Sequence, residues 1–456
     1  MKRHVLGLTA TAAAGVMLLG ACSGSGTDAA GGSAADFSGD ASGSLSAWGF
    51  ENADDVGTSR LDYAKKELPD VDVQLDQAAF DAQKFTTLVA SGNVPDVVQM
   101  DRRFVATYAA QGLIQPLDKC YEAQDIDPDE AYYPWVADEM RYDDKIWGVP
   151  QFYQPPAIIV NARVLKEAGV SADDIDTSDI DGLVKAIEKV YQEKGGNPTV
   201  LGLDPVAAGS PELWIQGLGG SILDEDGAPT LDTPENAAAI EDLKRITDAQ
   251  GGYAKVKSLG DSFDLFGEKN QFVKDQVGAQ VDNQWYVNVL SPYLDDIDIT
   301  AVPFRDKNGE PFTVASGQSF VIPTGAKNPG AACAWATTLT SLDSWLAAGD
   351  ARAKTLADDG GVNTGLFTGS PEADKQIREK YVKKTGDAGL DQTIQTFYDV
   401  AEHGQSIGAS PAGQQVKDEL VNAVTSALLG DKTAEQALAD AQENAQRAYD
   451  QAKSGS

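Results

Sequence analysis

The sequence predicts an α/β protein in which strands alternate with helices along most of the 456 residues. Short runs that alternate in polarity or are mostly apolar repeatedly precede segments with helical spacing of apolar residues. No internal repeat of solenoid length interrupts this order. With 42% apolar residues and seven Trp, the chain can bury a substantial core. Largely parallel sheets are expected, because strands separated by helices usually pair in that sense, and the length suggests two or three domain-sized units or two large lobes.

Three strand–helix units are predicted at the start of the folded body. Residues 45–50 and 71–75 alternate between apolar and polar side chains, which is typical of strands with one buried face, and 95–100 has the composition of a buried strand. Apolar residues recur at helical spacing after each strand, and each segment ends at or just before a Pro or Gly. The helices are therefore predicted at 59–68, 80–90 and 104–111.

The pattern continues through the rest of the chain. A helix is predicted over 328–342, because Pro329 occupies a first-turn position and Ala331, Trp335 and Leu339 share one face. Further strands are predicted at 146–150, 157–160, 277–281 and 320–323, and further helices at 163–168 and 433–453.

The charge balance excludes several classes of partner. The formal net charge is −34, which opposes binding to nucleic acid or docking on anionic lipid. Only two His are present, His4 and His403, and His4 lies in a segment expected to be removed. Catalysis by a Ser-His-Asp or Cys-His pair and a His-based metal site would then each depend on one residue.

No cofactor, metal or catalytic residue is expected. Asp125, Asp127 and Asp129 have the spacing of a calcium loop, but Glu130 stands where that loop needs Gly and Val136 where it needs an acid. The segment is therefore interpreted as a solvated turn. Neither a Gly-x-Ser-x-Gly elbow nor a phosphate-binding Walker loop is found in the sequence.

The first 22 residues have the form of an export signal. Lys2 and Arg3 precede an uncharged, mostly apolar run that is short for a membrane span. The run ends in Leu-Gly-Ala before Cys22, which resembles the lipobox of bacterial lipoproteins. This resemblance implies removal of residues 1–21 and lipidation of Cys22. An ordinary signal peptide with a chance Cys and a retained anchor helix are the alternatives.

Residues 22–44 are rich in Gly, Ala and Ser. Such a stretch buries too little apolar surface to offset its chain entropy, so it predicts a flexible tether. Together with the export signal it predicts an extracytoplasmic protein that is attached to the cell membrane by lipid at Cys22.

The folded body resembles the extracellular solute-binding proteins of bacterial ABC importers, in the branch that contains maltose-binding protein. The resemblance covers essentially all of residues 45–450. Each motif alone is loose, but together they occur in the family's order. They are Phe85 with 89–98 (VASGNVPDVV), 110–118 (AQGLIQPLD), 147–150 (WGVP), 158–161 (IIVN), 165–169 (LKEAG), 219–221 (GGS), Trp285, 328–332 (NPGAA) and 430–438 (GDKTAEQAL).

The resemblance implies two α/β lobes with a ligand cleft between them, the type II binding-protein fold. It places the first lobe at 45–152 plus 303–349 and the second at 153–302 plus 350–456. Ligand binding then favours closure, because the ligand touches both walls. The closed monomer docks on the permease subunits of an ABC transporter.

Loops after the strands are expected to face the cleft, as in this family. Trp48 ends the first strand, where core packing and ligand stacking are equally plausible, and Glu51 follows it in the loop. Asp101 is a candidate for sugar binding by the resemblance, with an N-cap role as its rival. One extra residue leaves open whether Arg102 or Arg103 takes the place of the family's Arg, and Arg103 is the candidate carried forward.

Other candidate ligand residues lie in later loops, each with a structural role as the alternative. Trp285 is the expected stacking platform, because its polar flanks fit a loop better than a core. The remaining candidates are Tyr153, Gln154, Trp214, Asp282, Ser316 and Gln318.

This mixture predicts a carbohydrate ligand, either a mono- or an oligosaccharide. Carboxylates, amides and Arg match sugar hydroxyls, while Trp and Tyr stack on the faces of sugar rings. A glycerol phosphoester or a polyamine is the alternative within binding proteins. A tethered glycoside hydrolase is the alternative from another class, although an acidic chain always offers two carboxylates to nominate.

Cys120 and Cys333 remain after Cys22 is lipidated, in a compartment that permits disulfides. The resemblance places both in the first lobe. A disulfide between them is slightly favoured over two buried thiols.

Overall fold

The structure, a computed structural model, describes residues 37, 41–50, 53–206 and 209–454. Within these residues, two five-stranded sheets and a two-stranded ribbon are formed. The strands are β1 Gly43–Trp48, β2 Val71–Asp76, β3 Val97–Asp101, β4 Arg141–Tyr142, β5 Lys145–Ile146, β6 Val149–Pro150, β7 Pro156–Asn161, β8 Gln192–Lys194, β9 Asn197–Asp204, β10 Val277–Asn283, β11 Ile299–Val302 and β12 Gln318–Val321.

Helices fill the segments between strands and nearly the whole C-terminal quarter. No helix in the described ranges combines the length and the apolar character needed to cross a membrane. The α-helices are α1 Asp55–Glu67, α2 Ala82–Ser91, α3 Val105–Ala110, α4 Asp118–Ala123, α5 Pro128–Ala131, α6 Pro134–Asp138, α7 Ala162–Ala168, α8 Ile180–Val190, α9 Pro211–Gly217, α10 Pro234–Asp248, α11 Tyr253–Gly260, α12 Tyr286–Leu290, α13 Pro329–Leu339, α14 Leu342–Asp359, α15 Pro371–Tyr381, α16 Ala388–Ala401, α17 Gly413–Leu429 and α18 Ala434–Ser454.

Both large sheets are mixed rather than largely parallel, so that expectation is wrong. The first has the order β2-β1-β3-β12-β6, and only β1 with β2 and β3 forms parallel pairs. The second has the order β11-β7-β10-β9-β8, and only β9 and β10 are parallel. The antiparallel pairs arise largely where a strand from a distant part of the chain, such as β12, is inserted beside an earlier one.

A buried carboxylate links neighbouring parts of the first sheet at the start of β3. Asp96, 5% exposed, precedes β3. It accepts hydrogen bonds from the backbone and hydroxyl of Ser46 in β1, at 2.8 and 2.7 Å. It also accepts from the backbone N–H groups of Lys327 and Asn328, both at 2.8 Å. Four donors compensate its desolvation and attach the start of α13 to the sheet.

The second sheet packs into an extensive hydrophobic core. Helices α8, α10, α17 and α18 contribute apolar faces to this core. In α18, Ala434, Leu438, Ala441, Ala445 and Tyr449 recur at helical spacing and are all buried, which is the amphipathic pattern that the sequence predicts.

Cys120 in α4 and Cys333 in α13 form a disulfide with a Cα–Cα distance of 5.7 Å. Both residues are fully buried. The bond spans 213 residues of sequence. In the chain-entropy model a crosslink of this length contributes on the order of 4–5 kcal/mol to stability at most.

A buried ion pair lies beside the first sheet. The Arg102 Nε donates to Glu139 Oε2 at 2.6 Å, and the two side chains are only 1% and 6% exposed. Arg102 also donates to the carbonyl oxygens of Phe152 and Ala315. Because its donors are held by buried acceptors, Arg102 supports the segments that lead into the cavity described next.

Candidate ligand-binding site

A cavity of about 720 Å³ is lined by residues associated with both large sheets. Asp101 and Gln318 come from the first sheet, at the end of β3 and the start of β12. Trp285 follows β10 of the second sheet. Phe367 comes from the segment between α14 and α15. The cavity therefore presents both apolar rings and polar groups, as a polar ligand with apolar faces requires.

Asp101 is oriented by Arg103 on one wall. Its two carboxylate oxygens accept from the Arg103 side chain at 2.9 and 2.6 Å. Burial acts to raise the pKa of Asp101, but the hydrogen bonds and charge of Arg103 outweigh it and hold that pKa below its usual value. Asp101 thus stays ionised as a hydrogen-bond acceptor, and it also caps the 3₁₀ turn Arg102–Phe104 through the Arg103 N–H.

The guanidinium of Arg103 is already committed to carboxylates. Besides Asp101, it donates to Glu212 Oε1 at 2.6 Å. Glu212 lies in the first turn of α9. It is not among the side chains that line the cavity, so the expectation of direct ligand contact is not met. Arg103 instead joins the end of β3 to α9, while Arg102 is buried as described above. Neither Arg102 nor Arg103 lines the main cavity.

Two amide side chains, one after β6 and one at the start of β12, contribute to the cavity wall. The Gln154 and Ser316 backbones form an isolated antiparallel bridge, and the Ser316 hydroxyl donates to Gln154 Oε1 at 3.4 Å. Gln154 and Gln318 line the cavity. Ser316 does not line it, but its hydrogen bond orients the Gln154 side chain. The packing around Gly317 leaves no room for a side chain, because the Arg102 guanidinium and the Phe152 carbonyl oxygen lie where a Cβ would be.

Trp285 stands half-buried at the edge of the cavity. Its ring stacks on Phe266, with centroids 6.0 Å apart and planes 12° apart. Phe266 is 68% exposed, which is unusual for a side chain of its size. The pair therefore forms an accessible aromatic surface.

A second cavity of about 380 Å³ adjoins the first, and Trp285 lines both. Asp204 and Asp282 lie there at the carboxyl ends of the parallel strands β9 and β10. Burial raises the pKa of Asp204 to about 6 and that of Asp282 to about 7, and the charge of Asp204 adds to the second shift. Asp282 therefore belongs to this side cavity rather than to the main one.

Three predicted aromatic residues lie in the protein interior instead. Trp214 is fully buried against Phe304, and its indole N–H donates to the Pro205 carbonyl at 2.9 Å. Tyr153 is also fully buried, and Trp48 is 2% exposed. None of the three lines the main cavity. Each is an apolar ring in or next to a strand or helix, where core packing competes directly with ligand contact.

Sequence reasoning missed a charged residue on the cavity wall. Arg60 in α1 is 2% exposed, and its Nη1 donates to Gln151 Oε1 at 3.0 Å. Gln151 in turn donates to Gln99 Oε1, so a polar chain runs from Arg60 to β3. Burial lowers the pKa of the Arg60 guanidinium to about 9. The sequence contains a signal for the burial of Arg60, because its spacing places it on the same face of α1 as the buried residues Gly57 and Ala64.

Two expected sites lie outside the residues that the structure describes. Glu51 is one, and Cys22 with the signal sequence 1–21 is the other. Across the described ranges, no group of three or more His, Cys, Asp or Glu is arranged to hold a metal ion.

Known structures share this fold. CpMnBP1 with mannotriose bound is 22% identical, with a TM-score of 0.70, and the match covers 88% of this chain and 99% of that one. An ABC substrate-binding protein from Listeria monocytogenes in complex with cycloalternan is 18% identical, with a TM-score of 0.69 and coverage of 89% and 98%. The sugar-binding protein MalE from Xanthomonas citri is 16% identical, with a TM-score of 0.67 and coverage of 90% and 98%.

At these identities the likeness shows the fold, a two-lobed α/β binding-protein architecture, which confirms the predicted fold class. A family model described as "Bacterial extracellular solute-binding protein" matches residues 61–353. That segment includes the strands β2 to β12 and most of the cavity wall. The chain therefore belongs to the bacterial extracellular solute-binding protein family.

Proposed function

We propose that this protein captures an oligosaccharide in the main cavity and delivers it to the permease of an ABC importer. The observation that carries the proposal is the composition of the cavity wall. Asp101, Gln154 and Gln318 offer acceptors and donors for hydroxyl groups, and Trp285 offers a ring face. The volume of about 720 Å³ is within the range of ligand pockets for molecules larger than a single sugar.

The structural neighbours support this ligand class. Three of them were solved with mannotriose, mannobiose or cycloalternan bound. A binding role without catalysis also fits the family to which the chain belongs. The family supports an extracytoplasmic location for the chain.

The two lobes are proposed as 45–152 plus 303–349 and 153–302 plus 350–456, with one adjustment. Residue 349 falls inside α14. Arg352, beyond that boundary, donates to Asp55 at the start of α1 at 2.7 Å. We therefore assign the whole of α14 to the first lobe.

Binding is tested by thermal shift and calorimetry of residues 23–456 with mannotriose, mannobiose and maltotriose. A dissociation constant in the micromolar range or below, with the saccharide recovered intact by chromatography, supports the proposal. Gln318→Ala should weaken binding, and the exposed Gln415→Ala in α17 serves as the matched control. Recovery of shortened saccharides would favour the hydrolase alternative, and a response only to glycerol phosphoesters or polyamines would replace the sugar.

Membrane attachment is a separate part of the proposal. Lipidation at Cys22 should bring the mature monomer into the membrane fraction, and Cys22→Ser should release or mislocalise it. Intact-mass analysis of the native protein measures this directly. An unmodified N-terminus at another residue would contradict the anchor without affecting the ligand.

A further inference from the structure

The main cavity has a buried cation on its wall that lacks an anionic hydrogen-bond partner. Arg60 uses Nε to donate to the Leu339 carbonyl at 2.9 Å and Nη1 to donate to Gln151. Its Nη2 has no hydrogen-bond partner among the residues that the structure describes. Arg60 itself lines the cavity.

Other Arg residues around the cavity are compensated differently. Arg102 pairs with Glu139, Arg103 with two carboxylates, and Arg352 with Asp55. Removing a guanidinium from water costs several kcal/mol, and a buried ion is normally paired. Within the ranges that the structure describes, the hydrogen bonds of Arg60 go to neutral acceptors only.

Two aromatic rings fix the direction of the Arg60 guanidinium. Its Cζ lies 3.7 Å from the centroid of Trp345 and 5.4 Å from that of Phe50. These ring faces offset part of the desolvation cost through cation–π attraction. Nη2 is the guanidinium nitrogen that is buried and has no hydrogen-bond partner in the described part of the chain.

The acidic residue that acts on Arg60 does not complete the site. Asp54 attracts Arg60 electrostatically, but its carboxylate is held by the Gly57 N–H at 2.8 Å and by Arg352 Nη2 at 3.2 Å. Asp54 and Asp55 share the single charge of Arg352, and the Asp54 side chain is 59% exposed, so solvent and salt weaken its attraction for Arg60. The charge of Arg60 therefore remains available to a ligand.

We propose that the oligosaccharide carries an anionic substituent, a carboxylate or a phosphate or sulfate ester, which binds at Arg60. This inference rests on the proposed function. An oxyanion would accept from Nη2 and supply the missing counter-charge. Hydrogen bonds to a charged partner are stronger than those to a neutral hydroxyl.

The test compares matched ligands on the native chain by calorimetry. Galacturonic acid and its di- and trimers are compared with galactose and galacto-oligosaccharides of equal length, and glucose 6-phosphate and glucose 6-sulfate are compared with glucose. We expect an anionic member to bind roughly ten- to a hundredfold tighter than its neutral match, since a charged hydrogen bond contributes about 1.5–3 kcal/mol. A preference in the galacturonic acid series would indicate a carboxylate, and a preference for a glucose 6-ester would indicate a phosphate or sulfate ester.

Arg60→Met retains the aliphatic stem between Trp345 and Phe50 but removes the charge. It should abolish the preference for the anion, measured as the ratio of the affinities for the anionic and the neutral match in the same variant. The exposed Arg447→Met in α18 is the control. Because the ligand comparison uses the native chain, it remains decisive even if the Arg60 variant does not fold.

The outcomes separate the two proposals. Neutral saccharides binding as tightly as every anionic match would overturn the anionic inference and leave sugar capture intact. A preference that persists in folded Arg60→Met would also overturn it. Failure of all saccharides, neutral and anionic, would remove the proposed function and this inference with it.

Discussion

Trp214 and Trp285 occupy two contrasting regions of the second half of the molecule. Both lie where a strand gives way to a helix, Trp214 within α9 and Trp285 just before α12. Trp214 is fully buried with its N–H satisfied by a backbone carbonyl. Trp285 is half-buried, stacks on an exposed ring and lines two cavities.

The difference shows what distinguishes a core aromatic residue from a binding one. Phe304 packs edge-on against Trp214, with centroids 4.9 Å apart, and the surrounding core closes over both. No such cover lies over the Trp285–Phe266 pair, whose outer ring faces solvent. Trp214 is flanked by Leu213 and Ile215, whereas Trp285 follows the polar run 282–284, so the flanking sequence and the tertiary cover agree on the two roles.

The largest expected effect is on stability in the core. Trp214→Ala should lower the free energy of unfolding by about 3–5 kcal/mol, because it leaves a cavity and an unpaired carbonyl at Pro205. Chemical denaturation of the ligand-free protein measures the change. A loss below about 1 kcal/mol would contradict the contrast between the two regions.

Trp285→Ala should act on binding instead. Loss of a stacking anchor typically costs about 2 kcal/mol, so the affinity for the saccharide identified above should fall about thirtyfold. Calorimetry gives the affinity, and the melting temperature without ligand provides the control. If the affinity is unchanged and the melting temperature falls strongly, Trp285 stabilises the core and does not bind the ligand.

Asp282, which is half-buried three residues before Trp285, should respond to substitution with a gain of stability rather than a loss. Its folded pKa, about 7, exceeds the unfolded value of about 3.9. The carboxylate is therefore tolerated best when protonated, and stability falls as pH rises from about 4 to 7.

Asp282→Asn should consequently stabilise the protein by roughly 1–2 kcal/mol at pH 8 and have little effect at pH 4. Melting temperatures at the two pH values measure this, with the exposed Asp450→Asn as the control. An equal change at both pH values would show that the titration of Asp282 is not responsible.

Phe266→Ala should have the smallest effect. The ring is mostly exposed, so stability should change by less than about 0.5 kcal/mol. Affinity should fall roughly two- to fivefold, because the stacked ring that orients Trp285 is lost. Calorimetry beside Trp285→Ala would show whether the two rings act as one surface, since the double variant should then resemble Trp285→Ala alone.

Local pattern was sufficient for much of the fold. The alternating run 71–75 is β2, and the apolar spacing of 328–342 gives α13 within a few residues. Strands β9 and β11 were not predicted, because Asn197–Asp204 mixes Pro, Gly and polar residues and Ile299–Val302 has only four. Sheet direction was also beyond reach, since it depends on which distant strand is inserted beside another.

The site was predicted in part for the same reason. Loop position after a strand identified Asp101 and Trp285 as candidates, and both line the main cavity. Arg60 was not predicted from loop position, because this residue projects from the inner face of the helix α1, where an apolar residue is expected. Its helical spacing with Gly57 and Ala64 indicates burial, but the cavity lining and the contact with Trp345 are needed to place it on the wall.

The disulfide gives the protein an unusual chain topology. The bond between Cys120 and Cys333 closes a covalent ring that contains every strand of the second sheet, from β7 to β11, while β1, β2 and β3 lie outside it. A protease that cuts once within the ring opens it without producing two separate pieces. The nicked protein should therefore run as one species on a non-reducing gel and as two after reduction. Surface cleavage in an extracytoplasmic environment would then leave both walls of the cavity covalently joined.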